Sequence, residues 1–399
     1  MVSGRVLLTG VIMASLFATS GRESHAAEWS AEPSITLRGD YNSNLLLSAG
    51  AHENVWGLWE SPGVKFSGST ETLQVSGRAA ADFVQYFGGA DNRLTNLYFP
   101  LSVQYTTARE TFSFDGGFTR DNTLMGEARQ TGVVLAFTQR NLWNLNPSWT
   151  HALTERLSLQ AGYQYSNATY EDGLRLGLVD YTVNTGSGGV QYQATDVDQI
   201  SFTGSFTNFH APQSNDLTSD ISTGQISLTH NFSETISGML AGGVSYVHST
   251  VKPPSGSLSD DQTLGIGSAN LKKTWDDGFI QLDASRQINP SGFGFLIQTD
   301  RIGLTLSKGF TEQWSTSLGA FALWATGITS KATPAGTFPQ NRYVNINPRV
   351  TWRFSQWGQI DFMYTYVNRH VETTPITTAF ANVASIMLTY TPPKLTVGR

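Results

Sequence analysis

The charged residues best placed to act together in this 399-residue chain sit at even spacings along single segments. Arg38 and Asp40 are two apart, Arg78 and Asp82 four, Arg349 and Arg353 four, Asp361 and Arg369 eight. Even spacing puts side chains on one side of an extended strand, so each pair shares a face. Such charges can select ions or hold a polar solute, or simply pair with one another along a wall. Catalytic arrangements are weaker. His52, His151, His210, His230, His248 and His370 include no metal-ligand spacing on one segment. Asp260-Asp261 could bind calcium by composition, but the pair reads as a solvated acidic loop and no metal site is expected. No phosphate loop, dinucleotide motif or Cys cluster points to a cofactor, and the expectation is a chain that is not an enzyme. A Ser, His and Asp set drawn from different strands is the enzymatic alternative.

The elements that carry these charges are strands. Leu157, Leu159, Ala161, Tyr163 and Tyr165 alternate with Ser158, Gln160, Gly162 and Gln164. Leu97, Phe99, Leu101, Val103 and Tyr105 alternate with Tyr98, Pro100, Ser102 and Gln104. Ile360, Phe362, Tyr364 and Tyr366 alternate with Asp361, Met363, Thr365 and Val367. Each segment has one apolar and one mostly polar face. No sustained helical period appears, and no later run of ~18 apolar residues offers a spanning helix.

Two kinds of break alternate between strands. One is tight: Ser69–Thr72, Ala108–Thr111, Leu153–Arg156, Thr195–Asp198, Phe232–Thr235, Trp275–Gly278, Phe310–Gln313 and Ser355–Gly358. The other is longer and rich in Gly, Pro, Asn and Asp, as in Thr250–Gln262 and Gly327–Gln340. Eight tight turns separate about nine hairpins, which predicts an all-β, closed antiparallel transmembrane barrel of about 18 strands, with 16 as the alternative. The turns belong on the periplasmic side and the loops outside. Phe232, Trp275, Phe279, Phe310, Trp314, Phe354 and Trp357 crowd the turns, with Tyr86, Tyr165, Tyr246 and Tyr366 near the opposite ends, as two interfacial girdles.

Composition agrees. Charged residues make up 14% of the chain, against roughly 25% in soluble domains, while aromatics reach 12%. Mean hydropathy is −0.20, so only part of the surface is apolar. Residues 1–26 read as a signal peptide: Arg5, then a mostly apolar run from Val6 to Ser20, then Ser24-His25-Ala26 for cleavage. The mature chain then holds 23 basic and 30 acidic residues, net −7, which gives no footprint for nucleic acid. With no Cys, neither a lipid-anchored lipoprotein nor a disulfide-stapled domain is expected. The barrel is expected over 27–391 as one domain, with a short tail, 392–399. A last strand running to Tyr390 gives that residue the role of a terminal aromatic.

If the apolar parity faces lipid, the other faces the lumen. A charge on the lipid side would cost ~2–4 kcal/mol near the midplane, so Arg38, Asp40, Arg78, Asp82, Arg349, Arg353, Asp361 and Arg369 are expected inside. Tyr98 and Tyr343 share that parity. Arg38 and Asp40 are expected near Asp361 and Arg353 at barrel closure. A barrel this wide leaves a lumen that side chains alone cannot fill, and any plug must be a folded-in loop.

The pattern also resembles the β-barrel porins found with exopolysaccharide and exosortase loci. Ile35–Asn44 (ITLRGDYNSN), Ser61-Pro-Gly-Val64, Asn146-Pro-Ser-Trp149, His151–Arg156 (HALTER) and Tyr163-Gln-Tyr165 carry the resemblance. It implies passage or export of polysaccharide, with export-system proteins as partners. The barrel class itself implies outer-membrane lipid, lipopolysaccharide and the barrel-assembly machinery. The expected function is a pore for polysaccharide or small polar solutes. A structural or adhesive barrel with a blocked lumen and partner-binding loops is the alternative. A soluble secreted β protein such as a propeller would lack alternating turns and loops.

Overall fold

The computed structural model describes residues 28–88, 92–127, 137–328, 340–372 and 377–398; the expected signal peptide, 1–26, lies outside them. The chain is built almost wholly of strands. They are β1 (Glu28–Asn42), β2 (Val55–Ser69), β3 (Leu73–Phe87), β4 (Asn92–Thr106), β5 (Glu110–Asn122), β6 (Gln139–Ala152), β7 (Leu157–Tyr170), β8 (Tyr181–Gln193) and β9 (Asp198–Ala211). There follow β10 (Leu217–Asn231), β11 (Ile236–Val251), β12 (Leu258–Trp275), β13 (Gly278–Pro290), β14 (Leu296–Gly309), β15 (Trp314–Gly327), β16 (Asn341–Arg353), β17 (Gly358–Val371), β18 (Thr377–Tyr390) and β19 (Leu395–Gly398). No described helix is long and apolar enough to cross a membrane.

From β1 to β18 each strand pairs antiparallel with its sequence neighbour, and β1 also pairs with β18, from Ile35↔Tyr390 to Asn42↔Val383. The sheet therefore closes on itself as an 18-strand barrel, and closure removes the free edges that lipid would leave unsatisfied. Residues 392–399, read as a tail, include β19, which continues the line of β18. Glu28–Ala31 of β1 pair with it, from Glu28↔Gly398 to Ala31↔Leu395. Thr391–Lys394 form a one-residue bulge between the two stretches, where Pro392 and Pro393 have no N–H to give a ladder.

The tight turns share a device. At seven of the eight, a Ser or Thr hydroxyl accepts a backbone N–H two or three residues on. Leu73 donates to Thr70 Oγ1 (3.0 Å), Glu110 to Thr107 (3.0 Å), Leu157 to Thr154 (3.0 Å) and Asp198 to Thr195 (2.9 Å). Ile236 donates to Ser233 (3.1 Å), Trp314 to Thr311 (3.0 Å) and Trp357 to Ser355 (3.2 Å). Such hydroxyl turns specify a reversal locally. The eighth, Asp276-Asp277, holds Lys308 Nζ on the Asp277 carboxylate at 2.5 and 2.6 Å.

Facing residues of adjacent strands share a side, so the register sorts the wall into two faces. Outward stand Leu37, Phe202, Leu240, Ile302 and Ile386, all exposed. Two aromatics depart from the expected girdles. Tyr86 shares the parity of Arg78 and Asp82, faces inward and is buried against Trp59. Phe279 also turns inward, under the Lys272 ammonium at 5.2 Å.

At the loop end, three connections fold into the mouth. Leu47, between β1 and β2, packs on Leu323, Tyr343 and Val367 of the inner wall. Leu45 and Met125, the latter between β5 and β6, pack on Trp59, Val84 and Tyr86. The tip between β13 and β14 reaches across to β7–β11, burying Phe295, Leu296 and Ile297 against Tyr181, Phe209 and Ile221. Gly294 in that tip has φ +78°, and a Cβ there would strike Val179 and Ser214 of two other loops. Only glycine permits both the turn and the approach.

Candidate functional site in the barrel lumen

The structure places all eight charges singled out in the sequence on the inward parity of their strands. Their environments differ. Asp361 is fully buried and holds Arg349 through Nε at 2.8 Å and Nη2 at 2.7 Å. Thr351 Oγ1 (2.5 Å) and Gln359 Nε2 (3.1 Å) also donate to it. This is a satisfied wall ion pair, so Asp361 is committed to Arg349; Met387 stands between Asp361 and Arg38 in the register. Arg369 donates to the carbonyl of Leu47 (2.8 Å) and fastens the first inward loop. Arg353 sits at the turn end opposite Gln359. Arg78 shares a turn-end hollow of about 470 Å³ with Glu32, Lys65 and Asp115. Arg78, Asp82 and Arg353 make no ion pair within 4 Å among the described residues.

Arg38 and Asp40 line a lumenal cavity of about 600 Å³. Arg38 Nε lies 3.6 Å from Asp40 Oδ1, and its guanidinium stacks 4.7 Å from the Trp59 ring. Across the same cavity Arg301 stacks 4.4 Å from Phe321, which packs on Tyr343 at 5.7 Å. Stacking on a ring holds a guanidinium's plane while leaving its N–H groups for a solute. Arg38 Nε, Asp40 Oδ1 and Trp59 Nε1 are buried without a hydrogen-bond partner among the described residues. They form one cluster, with Arg38 Nε beside Asp40 Oδ1 and Trp59 directed at the Asp40 carboxyl.

The opposite wall is of another kind. From β7 to β11 the inward parity carries no charged residue. Hydroxyls pair from strand to strand: Thr185 with Thr207 (2.8 Å), Ser201 with Ser227 (2.6 Å), Thr223 with Ser245 (2.8 Å), and Ser219 with Ser249 (2.8 Å). A second cavity, about 520 Å³, lies against this wall beneath the β13–β14 tip.

A buried polar knot fastens the mouth. Arg140 holds Asp121 through two contacts, at 3.0 and 2.8 Å, and lies 3.6 Å from Glu127. Glu127 accepts from the Tyr170 hydroxyl and from the backbone N–H of Gly292 at 3.4 Å. Asp121, Glu127, Arg140 and Arg301 were not among the expected lumenal charges, although alternation alone gives Asp121, Arg140 and Arg301 their inward parity. Outside the barrel, Lys252 Nζ binds Asp216 at 2.8 Å and ties two loops together. Its hydrogen bond, followed by that of His210, holds the Asp216 carboxyl below the usual carboxylate range.

No family model matches the chain, and no curated protein matches it. Among solved structures it is similar to OccK5 (OpdH) of Pseudomonas aeruginosa, at 10% identity over 92% of this chain and 98% of that one, TM-score 0.43. Acinetobacter baumannii OccAB4 gives 10% identity, coverage of 92% and 98%, and TM-score 0.45. Pseudomonas aeruginosa OccK2 (OpdF), solved with glucuronate, gives 7%, 91% and 98%, and TM-score 0.43. At these scores the likeness assigns no family.

Proposed function

We propose that this barrel is a pore of a bacterial outer membrane for small polar solutes, saccharides among them. One observation carries the reading: the lumen is hollow, and its cavity of about 600 Å³ presents ring-stacked Arg38 and Arg301 beside the buried Asp40 carboxylate. The apolar outer belt suits a bilayer, with the tight turns on the periplasmic side and the longer loops outside. Passage or export of polysaccharide is the finer form, supported by the sequence resemblance and by the hydroxyl-rich wall. The blocked-lumen alternative draws support from the three loops packed into the mouth. Single-channel conductance in a planar bilayer, with and without oligosaccharides, separates the readings. Steady openings blocked by saccharide support a saccharide pore. Openings indifferent to sugar leave a general pore. A folded barrel that stays silent overturns the pore and turns attention to the loops.

A further inference from the structure

The β12–β13 seam of the wall is incomplete at its loop end. The ladder between β12 and β13 runs only from Trp275↔Gly278 to Gly267↔Arg286. Beyond it, Leu258–Ile266 stay paired with β11, while Gln287–Pro290 stay paired with β14. The two hairpins part because the β13–β14 tip bends into the mouth and packs on the far wall.

The gap meets a cavity. The 520 Å³ hollow is lined on one side by Thr185, Thr207, Thr223 and Ser245 of the uncharged wall. On the other it is lined by Ile266 and Gln287 at the seam, and by Arg286. Register places Arg286 on the outer face, together with Ile302 and Leu282, while Ile266 and Gln287, the first unpaired position of the two strands, both line the hollow, so the hollow reaches the seam. The seam opens where the outer surface changes character. Below it Leu271, Leu282 and Ile302 are exposed and apolar. At its lip Arg286 and Asp300 form a two-point ion pair (2.6 and 2.8 Å), and Asp261 holds His248 at 2.6 Å. That change marks the level of lipid headgroups.

We propose that the β12–β13 seam is a lateral doorway through which a membrane amphiphile with an uncharged, hydroxyl-rich glycosyl head lodges that head in the lumenal cavity. The alkyl chain stays in lipid along Leu271, Leu282 and Ile302. The head meets a wall of Ser and Thr hydroxyls and Gln amides, which can exchange hydrogen bonds with sugar hydroxyls in either direction. The nearby cations are neutralised, Arg286 by Asp300 and Arg140 by Asp121, so nothing favours a charged head. The proposal takes the strands as spanning a bilayer but does not require axial conductance.

The chain has no Cys, so a single reporter thiol can be placed without interference. Ser245→Cys, labelled with bimane and reconstituted in phosphatidylcholine vesicles, is titrated with doxyl-labelled dodecyl glucoside. Saturable quenching is expected, with apparent affinity at least about tenfold weaker after Gly265→Trp. Residue 265 lies at the outer edge of the seam, where a Cβ meets nothing within 4 Å. Leu271→Trp, on the same face below the seam, should leave quenching unchanged, and heat-modifiable gel migration confirms that each variant is folded. Equal quenching by doxyl-phosphatidylcholine overturns the glycosyl class. Quenching indifferent to Gly265→Trp overturns the route, and no quenching overturns the site. Conductance of the same preparations reads the pore separately, so loss of one property does not mimic loss of the other.

Discussion

The two sides of the lumen are made by one alternating code but differ in electrostatics. The side formed by β1–β3 and β14–β18 carries Arg38, Asp40, Arg301, Arg349 and Asp361, with Trp59, Tyr86, Phe321 and Tyr343 between them. The side formed by β7–β11 carries hydroxyls and amides and no charge. Charged groups fix the sign of what lies near them and act over about a Debye length, ~8 Å at physiological salt. Hydroxyls act only at contact. On the proposed pore reading, a solute in this lumen would meet one wall that selects by charge and another that selects by hydrogen bonding.

The comparison is broken most severely at Asp361. Replacing it with Ala leaves Arg349 without its partner, and loss of a buried pair costs ~3–5 kcal/mol. Arg349 is partly exposed, so a loss near the lower end is expected, read as a lower midpoint of heat-modifiable gel migration. Thr223→Val on the other wall removes one hydroxyl contact, and ~0.5–1.5 kcal/mol is expected by the same measurement. If Thr223→Val proved as damaging as Asp361→Ala, the contrast between the walls would fail as an account of stability.

A second test concerns permeation. Arg38→Gln combined with Arg301→Gln removes two positive charges facing one cavity. The reversal potential in a salt gradient should move toward cation preference, and the shift should shrink as salt rises. Thr223→Val should leave the reversal potential unchanged. An unchanged potential in the double Gln variant would mean that ions pass along the hydroxyl wall.

The smallest effect is at the rim. The Asp216 carboxyl is held low by Lys252, so its contribution is present above the usual carboxylate range and is lost as pH falls through its depressed value. Hydrogen exchange of the loops bearing Asp216 and Lys252 should accelerate only in that acid window. Acceleration already near neutral pH would mean that contacts other than the Asp216–Lys252 pair hold these loops.

The barrel was legible because its signal is repetitive. Period-two alternation from Ile35 to Tyr390 gave the faces, and the tight turns gave the strand number. The lumenal charges followed from parity, as Arg38 and Arg349 illustrate. The inward loops did not follow. Leu47, Met125 and Phe295 are ordinary apolar residues in turn-rich segments, and their positions depend on walls far away in sequence. Tyr86 was misplaced because an aromatic near a strand end can serve a girdle or a core; its shared parity with Arg78 decides for the core. The split at β12–β13 was hidden too, because Gly265 and Gly267 alternate normally with Leu264 and Ile266.

The hydroxyl turns have a consequence for how such a wall changes over time. Seven of the eight tight reversals are each fixed by a Ser or Thr and the residues just after it, and from β1 to β18 each strand pairs with its neighbours in sequence, β1 and β18 closing the ring. A hairpin bounded by two such reversals is a self-contained cassette. Copying or deleting one leaves every other reversal intact and changes the circumference by two strands, so widths of 16 or 20 strands lie a single duplication or deletion away.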